Sequence, residues 1–245
     1  MSRSVLVTDG NLGVGHAVAR LFAQAGDKVA ILYSVGEPPA DLLQLGCLPI
    51  RCGTTDTEEV GLAFKQAEAA HGPVEVLISH ADLDGDQVLN RIDEADFAGT
   101  VDTALTGTFR MVKRAVRSML PAHRGRIVLI ASSGALTGGC RPDYAAAKAG
   151  LIGFARSLTR ELGQRSITVN VVSPGLTEDG LDYLTKTHNE LSKAAFWEEI
   201  RMDIPLGRPG LCAEVAAAVQ FLASAEASYI SGAVLPVDGG AGAGH

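Results

Sequence analysis

Short runs of β-branched and other apolar residues alternate along this chain with longer stretches whose apolar positions recur at helical spacing. The apolar runs Val5–Thr8, Lys28–Tyr33, Cys47–Arg51, Val74–Ser79, Ile127–Ala131, Ile167–Val172 and Ala233–Pro236 predict strands. Between them, helical patterns span about Gly13–Ala25, Thr57–His71, Gly99–Pro121, Tyr144–Gly163 and Ala213–Ala223. Strands and helices taking turns in this way imply a parallel sheet covered by helices on both faces. The strand runs lack polar alternation, and strands buried on both faces need none. Leu176–Pro205 breaks the rhythm: it is polar, helical in places, and holds the only tryptophan, Trp197. Because it follows a strand end, it is expected to form a lid over the crevice at the C-terminal edge of the sheet. A surface helical insertion is the plainer alternative.

Composition narrows the class without changing that picture. The 245 residues, 47% of them hydrophobic, suit one larger domain spanning 1–245. A net charge of −7 argues against general binding to nucleic acid or to an anionic membrane. No apolar run approaches the length of a membrane span, and the N-terminus enters a strand at once, so the expected location is the cytosol. Cys47, Cys52, Cys140 and Cys212 are scattered, without a Cys-x-x-Cys pair or a histidine at ligand spacing. They are expected to be reduced thiols, with no metal site.

Two constellations carry chemistry. Thr8-Asp9-Gly10-Asn11-Leu12-Gly13-Val14-Gly15 follows the first strand and opens the first helix. Glycines there let backbone approach a pyrophosphate, and a helix N-terminus offers it amide donors. Further on, Tyr144 and Lys148 are four apart and so share a helix face. A phenol ionises near pH 10 and is a poor acid–base at neutral pH unless a cation stabilises the phenolate; Lys148 supplies one. Ser132 directly follows a predicted strand, and Ser133 is a second choice for the same role.

Together with Asn170-x-x-x-Pro174-Gly175, these motifs resemble the short-chain dehydrogenase/reductase family from the first strand to the tail. Within the family the chain is most similar to the 3-oxoacyl-[acyl-carrier-protein] reductases. The similarity is close in Ala213-Glu214-Val215, Phe221-Leu222-Ala223-Ser224, Ser228-Tyr229-Ile230-Ser231-Gly232 and Val237-Asp238-Gly239-Gly240. The resemblance implies an α/β, Rossmann-like, doubly wound sheet of seven parallel strands with a helical lid. It also implies an NADP or NAD cofactor held by Gly10, Asn11, Gly13, Val14, Gly15, Ala81, Lys148, Pro174 and Gly175. In its chemistry Tyr144 protonates a carbonyl oxygen, Ser132 holds that oxygen, and Lys148 lowers the tyrosine's pKa and binds the nicotinamide ribose. The implied partners are a free or carrier-protein-bound carbonyl substrate and further copies of the chain, as a dimer or tetramer.

Several positions depart from the family pattern. Asp9 replaces the first turn glycine, where a carboxylate repels a pyrophosphate by roughly 1 to 4 kcal/mol at contact. It is also expected to cap the first helix. Leu12 stands where NADPH enzymes often carry an arginine, and Tyr33, Ser34 and Val35 offer neither a second arginine nor an acid. Losing such charge-assisted contacts costs about 1.5 to 3 kcal/mol each. Gly53 matches the aspartate beside the adenine, Asp82 the glycine of Asn-Asn-Ala-Gly, Ala104 the catalytic asparagine and Asp179 the threonine after Pro-Gly. His80 and Asp82, two apart in an extended segment, either form a new acid–base pair or merely fill space. Arg124-Gly125-Arg126 with Arg165 is expected to present a positive surface near the crevice, suited to an acidic carrier protein; ordinary solvated charges are the alternative.

Three functions remain open on this basis. The first is a ketoreductase with weakened hold on NADPH or NADH. The second is an acid–base enzyme without a nicotinamide: a dehydratase, isomerase or cyclase of a polyketide-like carbonyl compound. The third is a non-catalytic subunit assembled with an active relative.

Overall fold

In the computed structural model, residues 2–81, 88–138, 140–180 and 202–243 are described. Seven strands form one sheet, β1 (Ser4–Val7), β2 (Lys28–Tyr33), β3 (Leu48–Arg51), β4 (Val76–Ser79), β5 (Gly125–Ile130), β6 (Ile167–Pro174) and β7 (Val234–Val237). All pairings are parallel, in the order β3-β2-β1-β4-β5-β6-β7. The order reverses between β1 and β4, which places the ligand crevice of such a sheet outside their C-terminal ends. The register sets Val5 beside both Val29 and Val76.

Because side chains alternate along a strand, each strand feeds two cores. Leu6 joins a core with Phe64, Met111 and Leu151, from α3 (Thr57–His71), α5 (Gly107–Ala122) and α7 (Pro142–Leu162). Val5 and Val7 point the other way, onto Val18 and Phe22 of α1 (Gly13–Gln24) and Val219 of α8 (Cys212–Leu222). Strands sandwiched in this way tolerate no polar alternation, which is why the sequence shows none.

Most predicted elements fall within one or two residues of the observed ones, and Thr57–His71 and Lys28–Tyr33 coincide with α3 and β2. The α3 start is fixed by Asp56, whose carboxylate accepts from the amides of Glu58 and Glu59. Sequence periodicity missed the short α2 (Ala40–Gln44) and α6 (Gly134–Thr137). It also read one helix over Gly99–Pro121 where the chain forms α4 (Glu94–Val101), a π-helical turn (Asp102–Thr106) and then α5. A π turn shifts the angular register of side chains, so a fixed 3.6-residue period fails across it. The lid expected at Leu176–Pro205 lies for the most part outside the described residues. At its base, Thr177 bridges to Gly210. No helix among the described residues is long and apolar enough to cross a membrane.

Candidate active site

The glycine turn is packed closely against the sheet: a Cβ on Gly10 would overlap the Ile31 side chain. Its ends are stitched to the sheet by Thr8 N–H donating to Ile78 O (3.1 Å) and Gly10 N–H to Leu32 O (3.0 Å). A Cβ on Gly15 would overlap the Asp9 carbonyl oxygen, so only glycine lets the helix start sit against the turn. Asp9 itself adopts φ 46°, a left-handed conformation that glycine takes freely and aspartate tolerates better than most residues. That conformation explains the glycine expected there.

Two expectations about this turn need correction or refinement. The N-cap of α1 is Leu12, in extended conformation, with no side-chain cap. Asp9 therefore does not hold the cap position, because the helix begins at Gly13 and the cap belongs to the residue before it. The Asn11 side chain donates to Val35 O (2.9 Å), tying the turn to the loop after β2, and Val14 packs into the core beneath. Leu12 and Val35 are 66% and 74% exposed. Nearby, the Asp179 carboxylate accepts from the Cys212 thiol (3.3 Å) and lies 3.9 Å from where a Gly13 Cβ would be. At the adenosine end, the Gly53 amide donates to the Glu59 carboxylate (2.9 Å).

The opposite half of the crevice is built differently. Lys148, on α7, is almost wholly buried, and its ammonium donates to Ala81 O beyond β4 (2.7 Å) and to Ile130 O at the end of β5 (3.0 Å). The same nitrogen lies 5.3 Å from the centre of the Tyr144 ring, one helical turn earlier. Ser132 follows β5 directly; its hydroxyl accepts from Gly134 N–H (3.2 Å). Ser133 instead donates its amide to Pro174 O (2.8 Å), joining the ends of β5 and β6. Beyond them, Gly175 N–H donates to Val237 O (3.0 Å). Asn170, also singled out by its motif, is fully buried and structural, bonding Ile230 O and Ala233 N–H.

Ala104 sits in the π turn and packs, fully buried, with Ala81 and Ala147. Ala81, whose carbonyl accepts from Lys148, is thus one of its packing neighbours. His80 is buried and its backbone is locked to the Thr8 hydroxyl, which accepts from its amide (2.8 Å) and donates to its carbonyl. Asp82, its supposed partner, lies outside the described residues.

Sequence reasoning missed the cluster that holds Tyr144 in place. Asp143 is fully buried, and its carboxylate accepts from Arg141 Nε (2.8 Å), Arg141 Nη2 and the Thr100 hydroxyl (2.7 Å). The Arg141 guanidinium beside it, with the Thr100 and Tyr144 donors, holds this carboxyl well below the usual carboxylate range. The available signal was an Arg-Pro-Asp start to the helix, an acid in its first turn directly before the tyrosine.

The basic tract is corrected by the topology. Arg124–Arg126 begins β5, so it lies at the N-terminal edge of the sheet, opposite the crevice. There Arg124 pairs with Glu75, Arg126 donates to the Ser224 and Gly125 carbonyls, and Arg165 meets His123 at 3.0 Å. Arg3, Arg124 and Arg126 line a cavity of about 390 Å³ whose acids, Glu75 and Glu226, offset them. The free thiols Cys47 and Cys52 are buried in the two cores on either side of the sheet; burial pushes both up to about 11, so they stay protonated at neutral pH. Among the described residues no group of His, Cys, Asp and Glu is arranged to hold a metal ion.

Comparison with known proteins places this geometry. A family model described as Enoyl-(Acyl carrier protein) reductase matches residues 10–242. The chain belongs to the short-chain dehydrogenase/reductase family. Over 246 aligned residues it is 45% identical to the 3-oxoacyl-[acyl-carrier-protein] reductase MabA of Mycobacterium avium, covering 100% of this chain and 92% of that protein. It is 36% identical over 239 residues to the 3-oxoacyl-[acyl-carrier-protein] reductase FabG of Escherichia coli strain K12, covering 96% and 95%. Among solved structures, a tryptophan variant of actinorhodin polyketide ketoreductase with NADPH superposes with a TM-score of 0.93. It is 29% identical, and the match covers 99% of this chain and 98% of that one.

Proposed function

We propose that this member of the family is a ketoreductase acting on an acyl or polyketide carbonyl, with Tyr144 as the proton donor and a weakened hold on its nicotinamide cofactor. The observation that carries the reading is the buried Lys148 ammonium, fixed by two backbone carbonyls and set 5.3 Å from the Tyr144 ring. A cation held there stabilises the phenolate left when Tyr144 gives its proton to a carbonyl oxygen. Ser132 orients that oxygen. Ala104 packs with Ala81, whose carbonyl accepts from Lys148, and its methyl can relay no proton to restore the tyrosine.

The backbone of Gly10–Gly15, with Ala81, Lys148, Pro174 and Gly175, would hold a dinucleotide, which supplies hydride to the carbonyl carbon when bound. The close backbone packing at Gly15 fits that group. The adenosine end fits it poorly: Leu12, Ser34 and Val35 present no cation to a 2′-phosphate and no acid to a ribose. Weak binding with little preference between NADPH and NADH follows. The substrate class, an acyl thioester carried by an acyl carrier protein or a related polyketide, is supported by the names of the relatives; a cytosolic location and a homo-oligomer complete the reading. The basic tract, at the opposite edge of the sheet and paired, removes one argument for a carrier-protein surface beside the crevice.

Titration of the protein with NADPH and NADH, with reduction of a 3-oxoacyl thioester followed by NADPH absorbance, tests the proposal. Turnover with either nucleotide is expected, at dissociation constants above the micromolar range. Submicromolar NADPH binding with strong discrimination against NADH would refute the weakened site. Absence of turnover would favour the cofactor-free enzyme or the non-catalytic subunit.

A further inference from the structure

Tyr144 is the third residue of α7, after Pro142 and Asp143. Amides in a helix's first turn have no acceptor within the helix, so this is where a helix is least restrained. The first intrahelical bond runs from Ala145 N–H to Arg141 O (2.9 Å), one residue beyond the tyrosine. Lys148 sits a turn deeper and has two further anchors on the sheet. Of the two groups that must be held in register, Tyr144 is the one that needs help from outside the helix.

That help comes from Arg141, Asp143 and Thr100. Asp143 is wholly buried and its carboxylate is saturated by the Arg141 guanidinium and the Thr100 hydroxyl. Asp143 directly precedes Tyr144, so fixing its carboxylate fixes the backbone that carries the phenol. Arg141 Nη2 also donates to Thr100 (2.9 Å), closing the cluster. Thr100 is the next-to-last residue of α4, immediately before the π turn whose Ala104 packs on Ala147 of α7. Two helices are thus joined by a polar contact at the start of α7 and an apolar contact one turn further in. A buried ion pair contributes little net stability relative to an apolar pair of the same size. Its directional bonds, by contrast, fix geometry to the tolerance that a proton donor demands.

We propose that Arg141, Asp143 and Thr100 are positioning residues for Tyr144, a buried polar clamp that fixes the first turn of α7 against α4 and so sets the phenol relative to Lys148. The kinetic consequence rests on the ketoreductase reading; the geometric one does not. The key variant replaces both charges, Arg141→Leu with Asp143→Leu, because removing either alone strands a buried charge. Thr100→Val tests the clamp without touching an ion pair, and Thr100→Ser should restore it.

For the double variant and Thr100→Val, kcat on a 3-oxoacyl thioester should fall by about 10- to 100-fold with KM nearly unchanged. The solvent deuterium effect on kcat should rise as proton transfer becomes limiting, and Thr100→Ser should recover most of the loss. Independently of turnover, the Tyr144 phenol is read by alkaline ultraviolet titration, as the difference between each protein and its Tyr144→Phe partner. In the double variant and Thr100→Val it should ionise at higher pH than in the wild type, because Lys148 no longer faces it squarely. Folded variants with wild-type kcat and an unchanged phenol titration would overturn the clamp. If the wild-type protein reduces no thioester, the ketoreductase reading falls, while the phenol titration still decides the clamp.

Discussion

The two halves of the crevice are made of different material. Around Tyr144 and Lys148, every charge is buried against a matching partner: Lys148 on two carbonyls, Asp143 on Arg141 and Thr100. Around the glycine turn, the surface instead carries exposed apolar side chains, Leu12 and Val35, and an aspartate in a left-handed conformation. Uncompensated buried charges cost several kcal/mol, so the first half cannot drift one residue at a time. Exposed positions such as Leu12 and Val35 cost little to change. The contrast teaches that the acid–base half is held by buried polar contacts, whereas the exposed rim of the glycine turn can change its side chains at little cost.

The largest expected effect tests the locked half. Tyr144→Phe should lower turnover by about 10²- to 10⁴-fold while circular dichroism and the thermal midpoint stay close to wild type. Full activity in that variant would remove the proposed acid. Lys148→Met should act on stability as well as on turnover. It leaves the Ala81 and Ile130 carbonyls without their donor, and chemical denaturation should report a loss of about 2 to 5 kcal/mol. A loss near zero would show that water satisfies both carbonyls and that the half is less tightly built than its geometry indicates.

The free half should respond through binding rather than folding. Leu12→Arg is expected to strengthen NADPH over NADH by roughly 1.5 to 3 kcal/mol, about 10- to 150-fold, since it supplies a cation for the 2′-phosphate. Equal gains for both nucleotides would place the new arginine elsewhere. Asp9→Gly should strengthen both nucleotides by about 1 to 3 kcal/mol by removing a carboxylate from the phosphate path. Glycine adopts φ 46° freely, so the backbone of the turn should be undisturbed in that variant. An unchanged dissociation constant would mean that the carboxylate faces away from the phosphates.

The smallest effect is on acid stability. Asp143 has a carboxyl held below its ordinary range in the folded state, so its contribution is present above the unfolded value, near pH 4, and is lost as pH falls. Its share of the stability loss should not exceed about 1.4 kcal/mol per pH unit below that point. The Arg141→Leu, Asp143→Leu variant should show a shallower acid transition than the wild type. An identical acid profile would assign the wild-type slope to other carboxylates.

Local pattern determined a good deal about this protein. Apolar runs without polar alternation announced a sheet buried on both faces, and a four-residue spacing put Tyr144 and Lys148 on one helix face. These are short-range properties, because a strand or helix period is written in consecutive residues. Other features depended on which distant segments meet. The basic tract Arg124–Arg126 read as part of the crevice until strand direction put it at the opposite edge, a strand's length away. Thr100 and Asp143, 43 positions apart in sequence, share a hydrogen bond that no local pattern announces. Periodicity encodes which face a residue turns to the core; only the packing of α4 on α7 decides which side chain waits there.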